Sequence, residues 1–103
     1  MNTDNLISCR VEFVRRGRRR LIIMNIGRYA VSNLSLSIDG PDDYIDVSEN
    51  LPIARLLPGR PAAWEYEVGD TTKDNERMLV FRYLVEIGGE KKEGQTIRHL
   101  SIV

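Results

Sequence analysis

Apolar and polar residues alternate along most of this chain with a period of two, which is typical of half-buried β-strands. The first predicted strand, residues 7–14, directs four side chains to one side: Ile7, Cys9, Val11 and Phe13. An arginine-rich stretch then interrupts the alternation, and Gly17 is predicted at the tip of a hairpin. Residues 20–26 form a second predicted strand, which is more continuously apolar.

The pattern continues after turns rich in Gly and Pro. The later predicted strands are residues 31–38, 44–47, 62–68, 77–87 and 95–103. Gly40 and Pro41 mark one turn, and Pro58 and Gly59 mark another, because Gly tolerates a positive φ and Pro fixes its own. The inward positions of these strands include Leu34, Leu36, Ile38, Trp64, Tyr66, Leu79, Phe81, Tyr83 and Val85. Apolar residues occupy both faces of the last strand and leave its register open.

Seven or eight short strands, with no segment of helical period, predict an all-β protein. A chain of 103 residues is long enough for one domain, residues 1–103, with its own core. This pattern favours an antiparallel β-sandwich, and a small barrel is the alternative.

Charge and cysteine content narrow the classes of function. Fifteen basic residues balance fifteen acidic ones, so the chain as a whole does not attract polyanions or acidic membranes at long range. A single Cys excludes an internal disulfide framework. No apolar run approaches the roughly 20 residues of a membrane span, and the N-terminus lacks a signal-peptide pattern. We therefore expect a cytoplasmic protein that does not contact membranes.

Asn25 and Gly27 end one predicted strand with the pattern Asn-x-Gly, and Leu57, Pro58 and Gly59 approximate a Leu-x-Pro-Gly turn. With these motifs, residues 21–87 resemble bacterial immunoglobulin-like domains of the CARDB, or cell-adhesion-related, type. The resemblance implies an immunoglobulin-like sandwich that serves as a spacer or a protein-binding module. Such modules often belong to exported proteins, whereas this N-terminus has no export signal, so the resemblance predicts only a general binding role.

Arginine is concentrated in one short segment: Arg15, Arg16, Arg18, Arg19 and Arg20. Guanidinium groups clustered on a hairpin could bind phosphates or an acidic protein. The alternative is a solvated loop whose charges are neutralised by the protein's own acids, of which residues 31–50 hold five without a base. No aromatic residue lies within the segment, and a single-strand binder uses aromatic rings to stack on bases. Nucleic acid is therefore the alternative to a protein partner.

The outward positions of residues 77–87 suggest a different surface. Met78, Val80 and Leu84 point away from the predicted core, where an apolar sheet face requires a cover from this chain or from a partner. These three residues are the candidate interface for another protein or for a second copy of the chain.

The sequence contains no set of residues that indicates catalysis. Cys9 and His99 are the only pair that could form an activated thiolate, and Cys9 falls on the apolar side of its strand. Asp39, Asp42, Asp43 and Asp46 cluster near a turn but fit no EF-hand spacing. No phosphate-binding glycine motif is present. We expect a non-enzymatic protein without a cofactor or a metal.

Overall fold

Two antiparallel β-sheets face each other in the computed structural model, which describes residues 2–39, 51–69 and 76–102. The strands in these ranges are β1 (Ile7–Arg15), β2 (Arg18–Asn25), β3 (Val31–Asp39), β4 (Ile53–Leu56), β5 (Pro61–Glu67), β6 (Glu76–Ile87) and β7 (Glu90–Ser101). One sheet has the order β1-β2-β5 and the other the order β4-β3-β6-β7. The result is an immunoglobulin-like antiparallel sandwich, as the sequence predicts, and not a closed barrel.

The strand predictions are confirmed in outline and corrected in detail. Residues 53–56 form β4, a short strand with the sequence Ile-Ala-Arg-Leu that the alternation does not predict. The last strand begins at Glu90 directly after Gly88 and Gly89, so its first charged residues belong to the strand. The predicted strand 44–47 and the turn at Gly40 and Pro41 lie outside the described residues. The described ranges contain no helix, and hence none that is long and apolar enough to cross a membrane.

The core lies between the inward faces of the two sheets. The predicted inward residues of β5 and β6 are buried, and the inward residues of β3 are buried or partly buried against them: Leu34, Leu36, Ile38, Trp64, Tyr66, Leu79, Phe81, Tyr83 and Val85. The pairing of β3 with β6 shifts between Ser32 and Ser35, and Asn33 has a φ of 52° within this shift. Such a bulge places both Val31 and Leu34 in the core.

Asn25 organises the corner where β2 leaves its sheet. Its buried side-chain amide donates to the carbonyls of Tyr29 and Leu56, at 2.8 Å and 3.0 Å, and its Oδ1 accepts the Gly27 N–H. Gly27 does not have a positive φ. A Cβ at Gly27 would instead lie 3.2 Å from a methyl group of Leu6, so close packing is the reason for glycine at this position.

Tyr83 and Thr96 connect the two sheets through their hydroxyl groups, which lie 2.9 Å apart in the core. The Tyr83 hydroxyl donates to the Thr3 carbonyl and accepts the Leu6 N–H, while Thr96 Oγ1 accepts the Ile7 N–H. Tyr83 has one hydroxyl proton, so Thr96 is the donor in the bond between the two hydroxyls. Residues 3–7 are thereby held against β6 and β7.

The same segment packs closely against the edge of β7. The Asn5 N–H donates to the Gln95 carbonyl at 3.0 Å, and Thr3 Oγ1 donates to the Glu93 carbonyl at 2.8 Å. Gly94 lies between these contacts, and a Cβ there would be 2.2 Å from the Thr3 carbonyl oxygen. Only glycine allows the chain to cross β7 at this distance.

Replacement of Tyr83 by Phe should destabilise the protein by about 1–3 kcal/mol, because the Leu6 N–H and Thr96 would lose a buried hydrogen-bond partner. Tyr29→Phe is the matched control, since the Tyr29 hydroxyl makes no hydrogen bond in the described part of the chain. Urea unfolding of both variants measures the difference. Equal losses of stability would show that the hydroxyl network does not contribute.

Candidate functional site

β6 is the central strand of a broad outer surface on the four-stranded sheet. Met78, Val80 and Leu84 alternate with the buried residues of β6 and therefore face outward, as predicted. Val80 is only 7% exposed, whereas Met78 and Leu84 are half-buried. Neighbours within the chain thus already cover much of Val80.

Ile97 adds an apolar residue to this surface that the sequence did not single out. It lies directly opposite Val80 on β7 and is 38% exposed. Apolar residues on both faces of β7 gave no way to choose its register, and only the pairing with β6 shows which face Ile97 occupies. Met78, Val80, Leu84 and Ile97 together form what we term the outer-face patch.

Small and charged side chains surround the outer-face patch. Ser35 and Ser37 of β3 lie opposite Arg82 and Val80 of β6. The serine side chains are short, so they fill less space on this face than the residues of β6. An open depression of about 470 Å³ lies here, with Ser35, Arg82, Leu84, Glu93 and Gln95 among its lining residues. At one end of the surface, the Arg55 guanidinium binds the Glu86 carboxylate at 3.0 Å. The site therefore combines an apolar centre with a polar margin.

The five arginines lie on the hairpin that connects β1 to β2. Arg15 ends β1, Arg16 and Gly17 form the turn, and Arg18, Arg19 and Arg20 begin β2. Gly17 has a φ of 80°, which confirms its predicted position at the tip. Most of the arginines therefore belong to regular strands and not to a loop.

Phe13 lies on the predicted side of β1 but is exposed. Its side chain is 70% accessible, although it falls on the same side of β1 as the buried Ile7. The Arg19 guanidinium lies over the Phe13 ring, 4.8 Å from its centroid. Residues 15–20 contain no aromatic side chain, but Phe13 on the opposite strand of the hairpin provides one next to Arg19. We term residues 13–20 the arginine hairpin.

Acidic residues neutralise only part of the arginine hairpin. Arg18 binds Glu65 at 3.3 Å and Glu67 at 3.6 Å, and both glutamates belong to β5. Of the five acidic residues in 31–50 that were expected to neutralise the arginines, only Asp39 lies within the described residues. Arg15 and Arg16 are exposed and form no ion pair with the described residues.

Cys9 and His99 lie on different sheets. Cys9 is partly buried against the core from β1, whereas His99 is opposite Met78 on the outward side of the four-stranded sheet. Burial raises the pKa of the Cys9 thiol to about 11, and the positive charge of Arg98 acts weakly in the opposite direction. The two residues therefore do not form a thiolate–imidazole pair. Within the described ranges, no three His, Cys, Asp or Glu residues are grouped so that they could hold a metal ion.

A solved structure of another protein has a similar fold. The GAE domain of GGA2p from Saccharomyces cerevisiae superposes with a TM-score of 0.56 over 94% of this chain and 89% of that chain, at 12% sequence identity. No protein-family model and no curated protein sequence matches the chain. Identity this low supports the immunoglobulin-like fold alone. The resemblance to CARDB domains stays a prediction.

Alkylation of Cys9 by iodoacetamide at pH 8 should be about a hundredfold slower in the native protein than in urea. The raised pKa leaves little thiolate at this pH, and the rate should rise as pH approaches 11. His99→Ala should not change the native rate, because His99 is on the other sheet. Rapid native alkylation that His99→Ala slows would contradict this arrangement.

Proposed function

We propose that this chain is a non-enzymatic protein-binding module that docks a protein partner on the outer-face patch. The observation that carries the proposal is the exposed Ile97 side chain on β7 beside Val80 and Met78 of β6, on a sheet face whose margin is polar. Burial of such apolar area contributes about 25 cal/mol per Å², while the surrounding charges select the partner.

The hydrogen bonds of β7 favour the sheet face over a sheet edge as the docking surface. An extended peptide could otherwise add to the sheet beside β7, the strand at its margin. Asn5 and Thr3 already occupy part of that edge through the carbonyls of Gln95 and Glu93. A partner strand would have to displace them, whereas the outer-face patch is accessible in the folded protein.

The partner is either another protein or a second copy of the chain. A homodimer would place two copies of the outer-face patch against each other around a twofold axis, which is the commonest symmetry of soluble oligomers. The separation of Cys9 from His99 supports a function without catalysis. A cytoplasmic location and a fold-level resemblance to CARDB domains over residues 21–87 belong to the same proposal.

The double variant Met78→Lys/Leu84→Lys should weaken partner binding at least about tenfold, because two charges would have to be buried in the interface. Ile22→Lys/Met24→Lys is the matched control, since these two half-buried apolar residues alternate with buried residues of β2 and so lie on the outer face of the other sheet. Circular dichroism checks that both variants fold.

Sedimentation first measures self-association, and affinity capture from nuclease-treated lysate then identifies bound proteins. The proposal expects a dimer or a discrete partner that the wild type and the Ile22/Met24 variant retain and the Met78/Leu84 variant loses. Identical behaviour of the two folded variants would exclude the outer-face patch as the binding site.

A further inference from the structure

The arginine hairpin carries a second site, distinct from the outer-face patch. We propose that it binds single-stranded nucleic acid, with one base stacked beside Phe13 and phosphates held by Arg15, Arg16 and Arg19. Single-strand binding combines positive charge along the backbone with an aromatic ring for a base. Phe13 supplies the ring, although it lies outside the arginine segment itself.

Phe13 is available for stacking because of its position at the end of the sheet. Alternation along β1 directs it to the same side as Ile7, which is fully buried, yet Phe13 is 70% exposed. The guanidinium of Arg19 covers one face of the ring. The opposite face and the ring edge are open to a flat partner, and every base presents such a surface.

Arg19 is held in place before any ligand arrives. Its Nη1 donates to the carbonyls of Arg15 and Arg18, at 3.1 Å and 3.0 Å. These bonds and the Phe13 ring orient the guanidinium and lower the entropy that is lost on binding. The remaining N–H groups of Arg19 can donate to a phosphate next to the stacked base.

The charges of the hairpin are divided between its two sides. Glu65 and Glu67 bind Arg18. Glu12 and Glu65 are the cross-strand neighbours of Arg20. These acids therefore neutralise the outward side of β2, whereas Arg19 is directed to the side of Phe13 and Leu21.

Within the described residues, the tip of the hairpin is its least neutralised part. Arg15 and Arg16 are exposed there and form no ion pair with the described residues. On the side of Phe13, a phosphate backbone can therefore approach these arginines without meeting a carboxylate of the described ranges.

An acidic protein segment would match the charges but would leave the ring unused. Carboxylates need only the guanidinium groups, whereas a base on Phe13 adds about 1–3 kcal/mol from stacking. A duplex does not fit equally well, because its bases are already stacked on one another. The combination of ring and charge therefore favours an unpaired strand.

Fluorescence anisotropy with a labelled oligothymidine of about 12 nucleotides tests the proposal on the whole chain. Arg15→Gln/Arg16→Gln should weaken binding at least about tenfold at low salt. The negative slope of log K against log salt should become shallower by about 1.4, since each of the two lost phosphate contacts in a single strand accounts for about 0.7. Phe13→Ala and Phe13→Leu should each weaken binding about fivefold or more, because neither side chain stacks on a base.

Arg28→Gln/Arg60→Gln is the matched control, because both residues are exposed. Arg28 follows the end of β2 and Arg60 precedes β5, so both lie at the end of this sheet that is away from the arginine hairpin. This control should bind the oligonucleotide as the wild type does. The proposal fails if the wild type does not bind at about 50 mM salt, where phosphate contacts are strong. It also fails if the control loses as much affinity as the hairpin variant, or if Phe13→Leu binds normally.

A peptide of glutamates provides the final comparison. Tight binding of the peptide without binding of the oligonucleotide would assign the arginine hairpin to an acidic protein and overturn the proposal. Because the Met78/Leu84 variant leaves the hairpin intact, its behaviour with the oligonucleotide should match the wild type. The two sites can therefore fail independently.

Discussion

The buried contact between the Tyr83 and Thr96 hydroxyls determines where the two sheets meet. Tyr83 holds the Thr3 carbonyl and the Leu6 N–H, and Thr96 holds the N–H of Ile7, the first residue of β1. Both hydroxyl protons of this pair are used and both oxygens accept a backbone N–H, so any shift of β1 along β7 would leave a buried polar group without a partner. The start of the three-stranded sheet is therefore defined by two side chains of the four-stranded one.

The arginine hairpin lies at the far end of β1 from this anchor. Phe13 lies six residues beyond Ile7, which is about 20 Å along an extended strand. The core toward this end of β2 and β5 includes Leu21 and Tyr66, and the Tyr66 hydroxyl donates to the carbonyl of Ile102. Phe13 and Arg19 lie in the same cross-strand row as Tyr66, on the inward side of their sheet. The core covers this row at β5 but leaves Phe13 on the edge strand β1 exposed, where the Arg19 guanidinium contacts it.

Alternation in the sequence predicts the side of a strand on which a residue lies, but not whether anything covers that side. It was sufficient for Trp64, Leu79 and Phe81, which lie in the middle of the sandwich. It was not sufficient for Phe13, because whether the opposite sheet covers a position on the edge strand β1 depends on contacts between distant parts of the chain. Ile97 was missed for a related reason: its face follows from pairing with Val80, and that pairing is a property of two strands together.

The zero net charge of the chain conceals a strong local separation. Arg18 and Arg20 have glutamates of β1 and β5 as neighbours, and Arg55 is paired with Glu86 on the other sheet, whereas Arg15 and Arg16 at the hairpin tip form no ion pair with any described residue. Screening in physiological salt acts over about 8 Å, so a ligand at the tip senses the nearby arginines and not the distant acids. A neutral chain can therefore attract an anion at one end of one sheet while the outer-face patch of the other sheet stays available for a protein.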